Sequence, residues 1–145
     1  MAKDTVKSVG DQLQELNRGI GNLLAHLEND NANIVVEDRE DPEEMFLKDE
    51  YRRVVYLLED VHSILESLKK PVSAEGHLYR NENGRFEINN SVEFTSGSSI
   101  EFLKWDDFDD VEKWVAARIE HTDGDYYLYG HKEVSLEGLH VRTRR

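Results

Sequence analysis

The sequence predicts an α+β protein: an N-terminal antiparallel helical hairpin followed by a small antiparallel β-barrel-like or rolled-sheet domain. Three observations predict it. Over residues 4–70, apolar residues recur in alternating steps of three and four. After Pro71 the period changes to two. Turn signals then punctuate short alternating runs, the first being Asn81-Glu82-Asn83-Gly84.

The first ladder is Val6, Val9, Leu13, Leu16, Ile20, Leu23 and Leu27; the second is Leu47, Tyr51, Val54, Leu58, Val61, Leu65 and Leu68. Steps that average about 3.5 residues keep one seam of a helix facing a partner helix. Two such seams joined by a polar loop predict a hairpin. Asp4 or Thr5 can cap the first helix, which is expected to run to about Glu28 and to end at Asn29-Asp30-Asn31. Gly10, Gly19 and Gly21 lie inside it, and each costs up to about 1 kcal/mol relative to Ala. Gly19 and Gly21 flank the seam and allow close helix approach or a kink. In the joining loop, Ile34-Val35-Val36 can tuck against the hairpin, and six of the eight residues from Glu37 to Glu44 are acidic. Asp41 is placed to cap the second helix, Pro42 suits its first position, and Glu43 and Glu44 favour its positive end. That helix is expected over 42–70, with Lys69 and Lys70 at its C-terminal end and Pro71 to stop it. Phe46, Val55, Leu57 and Ile64 lie outside its seam, so it has one further contact to make.

Residues 71–75 are expected as a linker, and 76–145 as the β-domain. Strands are expected at 77–80, 85–88, 91–95, 99–103, 114–120, 126–129 and 139–143, with an acidic loop at 106–112. In the 114–120 run, Trp114, Ala116 and Arg118 share one face and Val115, Ala117 and Ile119 the other. Tyr126 and Tyr127 fall on opposite faces, so at least one is expected to be exposed.

Charge limits the partners. The net charge is −13, and both halves contribute: nine Lys/Arg against sixteen Asp/Glu in residues 1–70, and nine against fifteen in the rest. Direct binding to nucleic-acid phosphates, which relies on clustered cations, is disfavoured; a protein with a basic surface is the favoured partner. The absence of cysteine excludes a disulfide scaffold and a thiolate metal site. The N-terminus has no apolar signal-peptide core, and no run approaches a membrane span of about 18 apolar residues, so a cytoplasmic protein is expected.

No catalytic constellation stands out. The six histidines lack the spacing of a metal pair, and in the helices His26 and His62 are expected at the rim. Asp123-Gly124-Asp125 lacks the rest of a calcium loop and reads as a turn. Gly19-Ile20-Gly21 lies in a helical pattern, and no GxSxG elbow surrounds Ser96, Ser98 or Ser99. No enzymatic activity, no metal and no cofactor are expected. Two features exceed background: the sheet aromatics and the acidic loops. Candidate partner-binding residues are therefore Glu37, Asp38, Glu40, Asp41, Asp106, Asp107, Asp109 and Asp110 for charge, with Trp105, Tyr126 and Tyr127 as apolar anchors.

The C-terminal half carries Gly76-x-Leu78-x-x-Asn81-x-x-Gly84-Arg85-Phe86, then Gly97-x-x-Ile100-Glu101, Trp114, Arg118-Ile119-Glu120, Gly124-x-Tyr126-Tyr127-Leu128 and Leu136-x-Gly138-Leu139-x-Val141-Arg142-x-Arg144. This pattern resembles a family of small uncharacterised domains of Gram-positive bacteria and their mobile elements. The resemblance covers about residues 75–145 and implies a fold, with no catalytic residues to carry over. By analogy with a mobile-element setting, the whole chain resembles small acidic anti-defence proteins of the anti-CRISPR type. It implies a non-enzymatic inhibitor that occupies the basic nucleic-acid cleft of a host enzyme such as a Cas9-type nuclease. The alternative is a homo-oligomeric adaptor or regulatory protein that assembles through its heptad helices. A nucleic-acid module built on Arg142, Arg144 and Arg145 ranks third, against the acidity of its half.

Overall fold

The computed structural model describes residues 3–27 and 34–144, which divide into two units, Met1–Lys69 and Lys70–Arg145. The α+β expectation holds: two helices precede antiparallel sheets.

In the first unit, α1 (Val6–His26) starts at a capping box. The Ser8 N–H donates to Thr5 Oγ1, and the Thr5 N–H donates to Ser8 Oγ. The expected stop at Asn29-Asp30-Asn31 lies outside the described residues. The second helix, α2 (Pro42–Lys69), begins where Asp41 Oδ1 accepts the Glu43 N–H.

The helices pair, but the two seams do not face each other as the heptad spacing predicts. The line of α1 that faces α2 is Gln14, Asn17, Gly21 and Leu24, one residue beyond the seam positions Leu13, Leu16, Ile20 and Leu23. On α2 it includes Val55, His62 and Glu66, again one residue beyond. A step of one residue turns a helix by about 100°. In an antiparallel pair, the same rotation on both helices swings both seams to the same side. Of the seam residues only Ile20 and Leu65 are buried, while Leu13, Leu16 and Leu23 on α1 and Val54, Val61 and Leu68 on α2 are exposed.

A polar node holds the contact line. Asn17 is 1% exposed; its Nδ2 donates to Glu66 Oε1 at 2.9 Å, and its Oδ1 lies 2.9 Å from His62 Nδ1. Gln14 donates to the Leu65 carbonyl at 3.0 Å. Gly21 is the glycine that permits the approach: a Cβ there would lie 3.2 Å from His62 Cε1, whereas Gly10 and Gly19 have open space. His62 is thus a rim residue that also fixes the register. Val55, expected as surplus, is spent on α1, whereas Leu57 and Ile64 stay exposed.

The second unit holds eight strands where six or seven were expected. They are β1 (Val72–His77), β2 (Tyr79–Arg80), β3 (Phe86–Ile88), β4 (Val92–Phe94), β5 (Ser98–Asp106), β6 (Val111–Thr122), β7 (Asp125–Leu128) and β8 (His140–Arg144). The expected 71–75 linker is a strand from Val72 onward, because β8 supplies its backbone partners, Val72 opposite Arg144 and His77 opposite His140. A five-stranded sheet runs β1-β8-β5-β6-β7 and a three-stranded sheet β2-β3-β4; the sheets do not close into a barrel. The turn at Asp123-Gly124 has φ of 48° and 88°, the mirror-image geometry of a two-residue hairpin.

The period-two pattern places the core. Val141, Phe102, Ile100 and Ile119 point inward and meet Leu78, Phe86, Ile88, Phe94, Leu128 and Leu136. Val115 and Ala117 pack beside them, on the face expected for them. On the outward face Glu101 joins two arginines, accepting from Arg142 Nε at 2.5 Å and Arg144 Nε at 2.8 Å. The Arg142 guanidinium lies over the Trp114 ring at 4.3 Å, and Arg144 also donates to the Lys70 carbonyl at 2.8 Å. These two arginines, considered as phosphate ligands from the sequence, are therefore engaged by the sheet; Arg145 lies outside the described residues.

Candidate protein-binding site

Strands β5 and β6 pair residue for residue from Ser98 opposite Ile119 to Asp106 opposite Val111. Strand β8 joins β5 only at Glu101 and Phe102, and β7 joins β6 only from Ile119 onward. Beyond Phe102 the two strands therefore continue as an arm in which each has one neighbour. Four residues, 103–106, carry it about 13 Å at strand rise.

The sequence read 106–112 as a loop. The turn is tighter, confined to residues 107–110, because Asp106 closes it. Its Oδ1 accepts the Phe108 N–H at 2.8 Å and the Asp109 N–H at 3.3 Å, and its backbone carbonyl accepts the Asp110 N–H at 2.8 Å. The other carboxylate oxygen pairs with Lys113. Lys113 first, then the two backbone N–H groups, hold the Asp106 carboxyl below the usual carboxylate range; desolvation opposes them. Asp106 in turn raises Lys113.

The closed turn presents an aromatic ring. Phe108 is 95% exposed and stands between Asp107 and Asp109, with Asp110 beside them, all three exposed. Trp105 is half exposed on the arm. An open hollow of about 390 Å³ is lined by Lys104, Trp105, Asp106, Asp107, Phe108, Lys113 and Val115.

The structure thus gathers five candidate residues, Trp105, Asp106, Asp107, Asp109 and Asp110, at one hairpin tip. Asp106 works as the closure of the turn, with its charge spent on Lys113. Tyr126 and Tyr127 lie elsewhere. They pair with His121 and Glu120 on β6, about 30 Å along the strand from Val111. Neither is an exposed anchor: Tyr126 packs edge-on to Phe86 at 6.4 Å and to His121 at 4.6 Å, and Lys132 lies over Tyr127 at 5.2 Å. Tyr129, next along, is the exposed tyrosine.

The acidic run of the first unit is largely structural. Glu44 accepts the backbone N–H groups of Glu37 and Asp38, Asp38 Oδ1 accepts the Glu40 N–H at 3.0 Å, and Asp41 caps α2. The carboxylates of Glu37 and Glu40 remain exposed. Each acidic run belongs to its own unit.

Phe108 is absent from the candidates drawn from the sequence. A signal for it is there: four aspartates flank it, at 106, 107, 109 and 110.

Among the described residues no group of three or more His, Asp or Glu side chains is placed to hold a metal ion, and no helix is long and apolar enough to cross a membrane. No curated protein and no solved structure matches the chain. Residues 76–143 match the profile of a family described as a domain of unknown function, DUF5348. The match spans the stretch whose turn glycines and core aromatics carry the resemblance, and it leaves the helical hairpin outside. The C-terminal half of the chain therefore carries a DUF5348 domain, from Gly76 to Thr143.

Proposed function

We propose that the protein works by binding another protein, without chemistry of its own, and that the β5–β6 tip makes the contact. The observation that carries this is Phe108, 95% exposed on a closed turn and ringed by Asp107, Asp109 and Asp110. Such a tip suits an apolar notch rimmed by Lys or Arg. The ring supplies the buried contact, and the carboxylates steer it and set its register. The basic nucleic-acid cleft of a host enzyme, with a Cas9-type nuclease as the leading case, has that chemistry. Inhibition then follows from occupying the cleft. The cytoplasm of a bacterium that carries a mobile element is the setting in which such an inhibitor meets its target.

The test is binding of the intact protein to a Cas9-type nuclease, followed at rising salt. Phe108→Ser should weaken binding about tenfold or more, as loss of an interface anchor does. Changing Asp107, Asp109 and Asp110 together to Asn should flatten the salt dependence. Absence of binding removes the nuclease as target; binding that both variants leave intact removes the tip.

A further inference from the structure

Among the described residues of the helical unit, the large apolar side chains that are buried are Ile20, Val55 and Leu65. Nine of its fourteen seam residues are exposed, from Val6 and Leu16 on α1 to Val61 and Leu68 on α2. Both seams lie on the same side of the hairpin, about 100° from the line along which the helices touch. This is the geometry of half a four-helix bundle. There each helix meets a neighbour along each of its two flanks and points its heptad seam at the bundle axis.

We infer that this face is covered by the same face of a second copy of the chain, giving a dimer with a four-helix bundle at its centre. Three observations choose a second copy over other occupants. The strict 3.5-residue period of both ladders matters only against helices, whose knobs and holes repeat at that spacing. The only described helices are α1 and α2, and each already uses a flank in the hairpin. A second hairpin supplies two more with matching seams. The area also fits: nine side chains at roughly half exposure present on the order of 700 Å² per copy, near the 800 Å² or so per partner of a standard interface. Charge, finally, is low for this chain. The net charge is −13, yet the α1 margin of the face is Ser8, Gln12, Gly19 and Asn22, with Glu15 its one carboxylate, and on the α2 margin Arg53 pairs with Glu50 and leaves Asp60 as the one further carboxylate. A face meant for a basic partner would carry more of the chain's acid, whereas one meant for an identical acidic chain must carry little. The Asn17–Glu66–His62 node then holds each hairpin in register while its seam packs on the other copy.

The inference does not rest on the tip reading; either can fail alone. The test is sedimentation equilibrium of the full chain across the micromolar range, with two variants. The wild type should be a dimer. Leu16→Glu, at a position 60% exposed in the single chain and so tolerated by the hairpin, should raise the dimer dissociation constant by about a hundredfold or more, because symmetry buries the charge twice. Tyr56→Glu, two residues from both Val54 and Leu58 and so on the back of α2, at a position 52% exposed, should leave the dimer intact. Circular dichroism at the helical band checks that the hairpin persists. A wild type that is monomeric throughout overturns the inference, as does a dimer that Leu16→Glu leaves unchanged or that Tyr56→Glu abolishes. If Leu16→Glu loses its helical signal, the wild type and Tyr56→Glu decide on the same terms.

Discussion

Replacing Glu101 by Gln removes one charge and leaves two cations behind. Glu101 is about 17% exposed in its side chain and receives Arg142 at 2.5 Å and Arg144 at 2.8 Å. Hydrogen bonds to charged groups contribute about 1.5–3 kcal/mol each when lost without replacement. Here replacement is partial. The glutamine oxygen can still accept one bond, Arg142 keeps the Trp114 ring at 4.3 Å, and Arg144 keeps the Lys70 carbonyl. A net loss of about 2 kcal/mol follows, or a fall in Tm of roughly 10 °C for a unit of this size. Trp105 and Trp114 are the protein's two tryptophans and both lie in the β-unit, so tryptophan fluorescence during urea unfolding reads this unit alone. The pH dependence adds a second check. Burial raises the Glu101 pKa, but the bonds from Arg144 and Arg142 outweigh it and hold the carboxyl low. A carboxyl that is more acidic folded than unfolded stabilises above its unfolded value, about 4.3, and that stability is lost as pH falls through the folded value. The gap between wild type and Glu101→Gln should therefore be full at neutral pH and shrink as the solution is acidified past the unfolded value. A loss under about 0.5 kcal/mol at neutral pH, the range of ordinary surface changes, would refute the reasoning; so would a gap that acid leaves unchanged.

Three further outcomes are expected. Gly19→Ala, with open space at its Cβ, should stabilise α1 by up to about 1 kcal/mol, while Gly21→Ala should gain less because its Cβ meets His62 at 3.2 Å; thermal melts followed at the helical band compare them. Ile119→Ala, fully buried in the core cluster and flanked across the sheet by Ser98 and Leu128, should cost about 2–5 kcal/mol by the same fluorescence assay. Phe108→Ser should leave stability within about 0.5 kcal/mol of wild type, since the ring touches almost nothing in the single chain; a larger loss would mean the ring has a structural role and would weaken the tip as a site.

The period of the apolar residues revealed the class of fold, and turn chemistry revealed where the hairpins bend. Asn81 to Gly84 and Asp123-Gly124 are turns because these residues accept the backbone angles, a property local to them. Alternation likewise put Val115, Ala117 and Ile119 on one face, which the structure turns inward. What spacing could not carry was orientation. A heptad seam says that a helix has a partner along one line, yet the partner may be its hairpin mate or something beyond. In this chain Asn17 and His62, polar residues one step off the seam, make the intrahairpin contact and turn the seams outward. Strand β1 was missed for a related reason. Val-Ser-Ala-Glu carries little pattern of its own and becomes a strand because β8, far along the chain, offers it a ladder. At the candidate site the reading found charge and missed geometry. Asp106 and Asp107 look alike as letters, but one is the clasp of the turn and the other is free to meet a partner. Alternation put Tyr126 and Tyr127 on opposite faces but could not show that other side chains cover both.

The order of strands in the five-stranded sheet bears on how the protein is made. Strand β8 is the last of the described strands but sits inside the sheet, between β1 and β5. Until residues 140–144 have left the ribosome, β1 has no neighbour in that sheet and β5 presents an open edge where Glu101 and Phe102 wait for Arg142 and Val141. The α1–α2 hairpin, whose two helices are complete at Lys69, can form while this is still in progress. For that interval the half-made sheet holds bare backbone donors and acceptors and an uncovered Phe102. Loss of even a few residues from the end of β8 would therefore strike the middle of the sheet, leaving a nascent chain prone to pair with its neighbours on the polysome.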